Sequence, residues 1–451
     1  MSKDPGLEKS PVELATEAFV YGFPLVFNLE QVWRYVHTGV GANPAAPFNT
    51  FSHAGQLAGP EDRFVTINND TVYSMAQIDL TAGPLVLDVP DTGNRYYVLQ
   101  FVSAWTENFA YVGKRATGTA PGRFFLVPPG WNGTVPQDAT VIRFPTAVAS
   151  IVGRWAVNGD ADLAVVRELQ AATLLAPLDS SDSRAGAGLP MVDTSSLEEA
   201  LAFWEKYRVY SQTFAPPSRD LLLHNSFAPL GLTGDRPITK LPDDDQEILR
   251  AGYDAGLELL EATLRNSYVK EVNGWQLPIH VFDYNLDSFE VGTLNTAEWR
   301  LEDPDRRLIT RASAALGGLW GNHAYEAAYF PSYVDQHGKQ LSGEHDYTLT
   351  LNPPPPNAAF WSLTMYDVPN YYLVANPEER YSVGDRTPGL RWTDDGGLTI
   401  YISATEPVDP VNRANWLPAP AGAFRPMLRV YIPGKSVLTG AYVLPPIVKV
   451  R

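Results

Sequence analysis

The densest run of polar side chains in the sequence is Asn68-Asn69-Asp70-Thr71-Val72-Tyr73-Ser74. It follows an apolar stretch, 63–68, that reads as a strand. A carboxylate at a strand end, between amides and a phenol, has the parts for general acid–base work. Asp70 would take or give a proton, Tyr73 would donate one, and Asn68 and Asn69 would orient a carbonyl or hydroxyl. His53 lies upstream, close to Glu61-Asp62, and adds a group that titrates near neutral pH. Asp70, His53 and Tyr73 are therefore the candidate catalytic residues. A plainer reading competes with this one. Asn and Asp bond their own backbone and build turns, and a lone histidine more often packs than reacts.

A second group begins at Arg95-Tyr96-Tyr97 and continues through Gln100, Asn108, Arg115 and Thr117-Gly118. Gln100 interrupts an apolar strand, so its amide must find partners if buried. Arg95 and Arg115 suit an anionic group on a ligand, or an acidic residue of the protein itself. Metal centres have little support. The histidines are His37, His53, His224, His280, His323, His337 and His345, and no two stand at the spacing of a helical ligand pair. Neither a G-x-S-x-G elbow, a Walker loop nor a dinucleotide glycine fingerprint occurs. No cofactor is expected.

The composition narrows the classes. A formal charge of −17 with no basic run disfavours nucleic acid and anionic membranes as partners. The absence of cysteine removes disulfides, thiolate metal sites and cysteine nucleophiles. No apolar run is long enough to span a bilayer, and the polar start at 1–9 lacks a secretory core. The expected compartment is the cytoplasm, or a secreted or periplasmic one if a leader has been removed. The expected partner is a small molecule, with room for a homo-oligomer.

The elements that must position these residues change character along the chain. Residues 1–45 read as two short helices broken near Pro24. Residues 46–155 read as a β domain, with strands at 63–68, 84–89, 95–103, 123–127, 140–144 and 148–154. Residues 156–330 read as a helical connecting region. Its helices are expected at 160–174, after a capping box of Ser195 and Glu198, at 245–264 and at 305–328. Residues 331–451 read as strands again, at 347–351, 359–367, 398–403, 427–433 and 442–448. The fold class is α+β multidomain: a β-rich N-terminal domain, helices, and a C-terminal jelly-roll-like sandwich.

Strand side chains alternate between faces. Trp361, Leu363 and Met365 share one face, while Phe360, Ser362, Thr364 and Tyr366 share the other. Leu428, Val430 and Ile432 oppose Arg429 and Tyr431; Leu398, Ile400 and Ile402 oppose Thr399, Tyr401 and Ser403. The oily faces should meet inside a sandwich. The opposite faces carry aromatic hydroxyls rather than Lys and Glu, which suits a partly buried polar wall. Tyr366, Trp416 and Arg429 are the wall residues expected to bind a ligand, with Asn68, Asn69, Gln100 and Arg95 facing them.

Several strings resemble a known family. Phe48-Asn49-Thr50-Phe51 with His53, the run 68–74, Arg95-Tyr96-Tyr97, Asn108-Phe109, Gly113, Arg115 and Thr117-Gly118 resemble the bacterial domain of unknown function 1254. The run 359–367, Asn376-Pro377, Arg380-Tyr381-Ser382, the run 415–420 and the run 429–433 resemble its usual partner, 1214. The resemblance covers the chain from about residue 10 onward. It implies architecture and supplies no reaction. From the residues, the expectation is an enzyme performing metal-independent acid–base chemistry on a small, largely apolar or neutral molecule held between the two β domains. Hydrolysis, elimination, isomerisation and cyclisation all fit. The alternative is a non-catalytic binder of a small molecule or carbohydrate.

Overall fold

A computed structural model of the chain describes residues 9–63, 65–179, 185–265 and 269–450. The N-terminal segment Pro11–His37 is one helix, α1. Ser10 and Glu13 close a reciprocal capping box at its start. The expected break at Pro24 does not occur. Leu25, Val26, Leu29 and Val32 bury on one helical stripe together with Ala15, Ala18 and Phe19, in a core shared with three further helices. That packing outweighs the one backbone hydrogen bond that Pro24 cannot donate. Those helices are Glu199–Thr213 (α3), Asp243–Arg265 (α5) and Pro304–Gly318 (α6), with Leu163–Ala171 (α2) and Leu221–Ser226 (α4) between and before them. At Gly22 the Tyr207 ring comes so close that a Cβ would lie 2.5 Å from it.

Among the described residues the N-terminal β region holds nine strands: Phe51–His53 (β1), Thr71–Asp79 (β2), Leu85–Val89 (β3), Tyr97–Ser103 (β4), Asn108–Gly113 (β5), Gly122–Val127 (β6), Thr140–Arg143 (β7), Val148–Ala156 (β8) and Leu174–Pro177 (β9). They form two sheets, ordered β1-β2-β8-β4-β5 and β7-β6-β3-β9. Val72, Leu99, Phe101, Ile151 and Trp155 on the first sheet pack against Leu85, Leu87, Phe124 and Leu126 on the second. The first sheet has a second face. Tyr73, Arg154, Val98 and Gln100 project there, because β2, β8 and β4 pair in register.

After a two-residue hairpin, Glu271–Val272 (β10) and Trp275–Gln276 (β11), the C-terminal strands follow. They are Ala327–Pro331 (β12), Tyr347–Leu351 (β13), Asn357–Asp367 (β14), Ser382–Gly384 (β15), Leu398–Ser403 (β16), Trp416–Pro418 (β17), Phe424–Pro433 (β18) and Val448–Lys449 (β19). The sheets are β12-β18-β14-β15 and β17-β16-β13-β19. Trp361, Leu363, Leu428 and Val430 from one meet Leu349, Ile400 and Ile402 from the other in one core, as the alternation requires.

Four further expected elements differ. The strand expected at 63–68 does not form over 65–68, where Val65 and Thr66 make a turn with Thr66 at φ 59°; residue 64 lies outside the described residues. Ser195 bonds Asp193 instead of capping a helix, and α3 begins at Glu199. The helix expected at 305–328 ends at Gly318, and residues from Ala327 join a sheet instead. Of 442–448 only the last residue pairs, in β19. Among the described residues, no helix is long and apolar enough to cross a membrane.

Candidate functional site

The free face of the first N-terminal sheet and the hydroxyl face of β14 and β18 pack together. Tyr366 and Tyr431 are 0% and 1% exposed, so this wall does not meet water. The corresponding face of the other C-terminal sheet behaves differently: Tyr401 is half-buried, and the Thr350 and Thr399 hydroxyls bond each other in an exposed position. The polar wall belongs to one sheet of the sandwich only.

The asparagine loop docks on that wall. Asn68 Oδ1 accepts from the Asp70 and Thr71 N–H groups and from the Thr71 hydroxyl, which starts β2 with an Asx turn. Asp70 is thereby aimed across the seam. Its Oδ2 accepts from Ser362 Oγ at 2.6 Å and Tyr431 Oη at 3.1 Å. Tyr366 donates to the Ile67 carbonyl at 2.6 Å. Arg429 donates to Tyr366 Oη at 2.7 Å, Thr364 Oγ1 at 2.9 Å and the Thr66 carbonyl at 2.9 Å. Burial opposes the Arg429 charge, but Tyr366, Tyr431 and Asp70 outweigh it and raise its pKa.

In the same sheet, opposite Tyr73, lies a feature the sequence reading missed. Arg154, 7% exposed, stands opposite Tyr73 in the β2–β8 register, with its guanidinium 5.5 Å from the Tyr73 ring centroid. It donates to Gln100 Oε1 at 2.8 Å, to the Trp320 carbonyl at 2.8 Å and weakly towards Asn322 Oδ1 at 3.5 Å. Among the described residues no carboxylate pairs with it. Burial works against its charge, yet Tyr73, Tyr329, Tyr96 and Tyr431 together raise its pKa. Gln100 is held in turn, donating to Asn108 Oδ1 and the Gly321 carbonyl.

Two phenols around Arg154 share an arrangement. Tyr73 Oη accepts from Asn68 Nδ2 at 2.5 Å, and Tyr329 Oη accepts from Asn322 Nδ2 at 3.0 Å. Among the described residues neither hydroxyl donates to an acceptor, so each keeps its proton to give. Both residues are partly accessible, whereas Arg154, Asn322 and Tyr431 behind them are buried. Tyr35 and Trp320 pack beside Tyr73. Trp320 sits at φ 63°, which a bulky residue adopts only when its surroundings enforce it, and its indole N–H bonds Asn28. A fully buried acid completes the site. Glu326 accepts from Tyr96 at 3.1 Å and from Arg115 at 2.5 Å; burial pushes its carboxyl up, against the pull of Arg115, the Tyr96 hydroxyl and the more distant Arg154 charge.

Of the expected residues, Asp70, Tyr73, Asn68, Gln100, Tyr366 and Arg429 come together at the seam. Asn69 stands aside and ties the Ala58 carbonyl. His53 is separated from Asp70 and Tyr73 by the sheet. It pairs opposite Ser74, whose side chain points into the other core, and bonds its hydroxyl at 2.8 Å. Burial lowers its pKa. Arg95 forms a two-pronged pair with Asp162, and Arg115 pairs with Glu326, as the internal salt-bridge reading of both had it. Trp416 belongs to the far sheet, 4% exposed, with its indole N–H on the Ser403 carbonyl. Arg154, Glu326, Asn322 and Tyr329 went unread. The one usable signal was a lone arginine inside the apolar run 148–154. No three His, Cys, Asp or Glu side chains among the described residues converge as metal ligands.

The model of the family described as "Protein of unknown function (DUF1254)" matches residues 48–177, and that of "Protein of unknown function (DUF1214)" matches 326–435. No curated protein matches the chain. The crystal structure of the VPA0106 protein from Vibrio parahaemolyticus is similar over 98% of this chain and 100% of its own, with TM-score 0.72 and 24% identity. A putative uncharacterized protein from Burkholderia cenocepacia aligns over 96% of this chain and 88% of its own, at TM-score 0.46 and 13% identity.

Proposed function

From the premise that this chain belongs to the family joining an N-terminal DUF1254 domain to a C-terminal DUF1214 domain, we propose an enzyme whose site is built by both halves. It performs acid–base chemistry, without a metal, on a small neutral molecule bearing a carbonyl. The carrying observation is the buried Arg154, whose hydrogen bonds among the described residues all go to neutral acceptors, next to two phenols that donate to no acceptor among those residues. A buried charge held only by neutral acceptors is expensive. It fits a site where negative charge develops on a substrate oxygen, as in enolisation, elimination or isomerisation.

In this reading the substrate oxygen faces Arg154, Tyr73 and Tyr329. Asp70, steadied by Ser362 and Tyr431, accepts a proton from the adjacent carbon. The oxygen gains the charge, steadied by Arg154 and the Tyr73 hydroxyl, which keeps its proton; the protonated Asp70 then returns its proton where the product forms and is again a carboxylate. Carbohydrate binding is less well served, because the shelf aromatic it would use, Trp416, is packed in the far sheet. We read the C-terminal sandwich as jelly-roll-like. Successive strands from β12 to β14 and from β17 to β19 alternate between its two sheets, while the parallel pairing of β16 with β17 departs from that pattern.

The test is a panel of small ketones, esters and lactones in D2O, followed by mass change and by NMR exchange next to the carbonyl. For any compound turned over, Tyr73→Phe is expected to lower kcat about 100-fold, the cost of one lost oxyanion donor, with KM changed less than about threefold. Wild-type kcat/KM in both Tyr73→Phe and Asp70→Asn would remove the seam from the reaction.

A further inference from the structure

An opening lies beside Phe360, whose ring stacks on Tyr431. It is a cleft of about 280 Å³ between the halves, lined by the turn at Thr92–Arg95 and by Tyr96, Lys114, Ala156, Asn158, Ala359, Phe360 and Arg386. Its charged lining residues are three cations, in a chain whose formal charge is −17. Arg95 is spent on Asp162. Lys114 reaches the Asn94 carbonyl at 3.2 Å, and Arg386 feels the charges of Asp70 and Asp385 without bonding either carboxylate; neither cation forms an ion pair among the described residues.

Arg386 is held in one orientation. Its guanidinium lies 3.4 Å over the Phe360 ring centroid. Nη1 donates to the Val157 carbonyl and Asn158 Oδ1, and Nη2 donates to the Asp70 carbonyl. Three of its five N–H groups are thereby used. The Nε hydrogen and one Nη2 hydrogen have no acceptor among the described residues, and the edge formed by Nε and Nη2 is the one that grips a carboxylate or phosphate with two parallel bonds. Phe360, which lines the cleft, stacks on Tyr431 with centroids 4.1 Å apart, and Arg154 is not part of the lining.

We propose that this cleft is a binding site for a compact oxyanion, a phosphate or carboxylate group, held two-pronged by Arg386 and screened by Lys114. The site is distinct from the seam around Arg154 and does not depend on the reaction assigned there. Asp162 opposes an anion but is neutralised by Arg95, and Asp91 at the turn is tied to the Gly93 N–H.

The probes are inorganic phosphate and benzoate, titrated separately into the full chain at low salt and followed by calorimetry and by 31P or 1H line broadening. Wild type is expected to bind at least one of them, and the tighter of the two identifies the phosphate or the carboxylate form. Arg386→Gln should weaken that binding at least about tenfold, and Lys114→Gln about threefold to fivefold. Lys114 is a surface side chain, so that variant keeps the test decisive if Arg386→Gln fails to fold. No binding of either anion to wild type overturns the proposal, as does equal affinity in wild type and Lys114→Gln.

Discussion

Replacing Arg154 by methionine is expected to lower kcat/KM at least about 1000-fold on any compound the enzyme turns over. One neutral oxyanion donor is worth about 100- to 1000-fold, and a buried guanidinium carries a full charge into a site shielded from water. The cost to folding should be far smaller. Methionine leaves Gln100 Oε1 and the Trp320 carbonyl without their donor, which costs roughly 1–3 kcal/mol. It also removes a charge that had to be desolvated with no ion-pair partner, which offsets part of that loss. Arg154→Lys would restore the charge but not the fork that reaches both acceptors, so recovery beyond about tenfold is not expected. Progress curves and urea midpoints measured on the same preparations check both halves. A variant that loses activity only as it unfolds would assign Arg154 to the scaffold instead.

The largest effect on stability is expected from His323 as the pH falls. Its imidazole is buried, with Nδ1 placed at 2.9 Å from Tyr111 Oη and 3.0 Å from Tyr325 Oη. Burial, aided by the nearby Arg115 charge, pushes its pKa from 6.5 down to about 3. Asp283 lies 3.9 Å from Nε2 and would favour the imidazolium. Its pull is weak, because burial raises the Asp283 carboxyl too and its Oδ2 is engaged by His280. The unfolded chain therefore binds a proton at His323 between pH 6.5 and about 3 that the folded chain does not. Stability contributed by this group is complete above 6.5 and is lost as the pH falls through that window. The gap corresponds to roughly 4–5 kcal/mol. Glu326 and Asp283, whose carboxyls are raised, tilt the curve the other way above about pH 4. The contrast with His323→Gln, which keeps an acceptor for the two hydroxyls, isolates the histidine. Urea unfolding from pH 7 to pH 3.5 should fall more steeply in wild type than in the variant. Parallel slopes would mean that His323 is protonated without opening the core.

The alternation of oily and hydroxyl residues in β14 and β18 was legible because a strand's period of two is a local property. So was the partition of strands and helices along most of the chain. Pro24 misled because the local cost of a proline is known from sequence, while the burial that overrides it comes from α3, α5 and α6. The strand expected at 63–68 failed because an apolar run also suits a loop pressed beneath a sheet, where Ile67 packs near Tyr366. Asp70 and Tyr73 were found from their crowding along the chain. His53 looked adjacent to them, but β1 places it opposite Ser74, one residue along from Tyr73, and a shift of one residue changes the face. Arg154, Glu326 and Asn322 could not be read in the same way. Their partners are Gln100, Trp320, Tyr96 and Arg115, between 54 and 230 positions away except for Tyr329, the near neighbour of Asn322. Only sheet register and domain packing bring them together.

A crystal structure with a bound substrate or its unreactive analogue tests the central claim most directly. The account predicts the ligand's oxygen within about 3.5 Å of the Arg154 guanidinium and of the Tyr73 or Tyr329 hydroxyl, with its neighbouring carbon turned towards Asp70. A ligand seated elsewhere, with Arg154 still bonded to Gln100, the Trp320 carbonyl and Asn322, would contradict it.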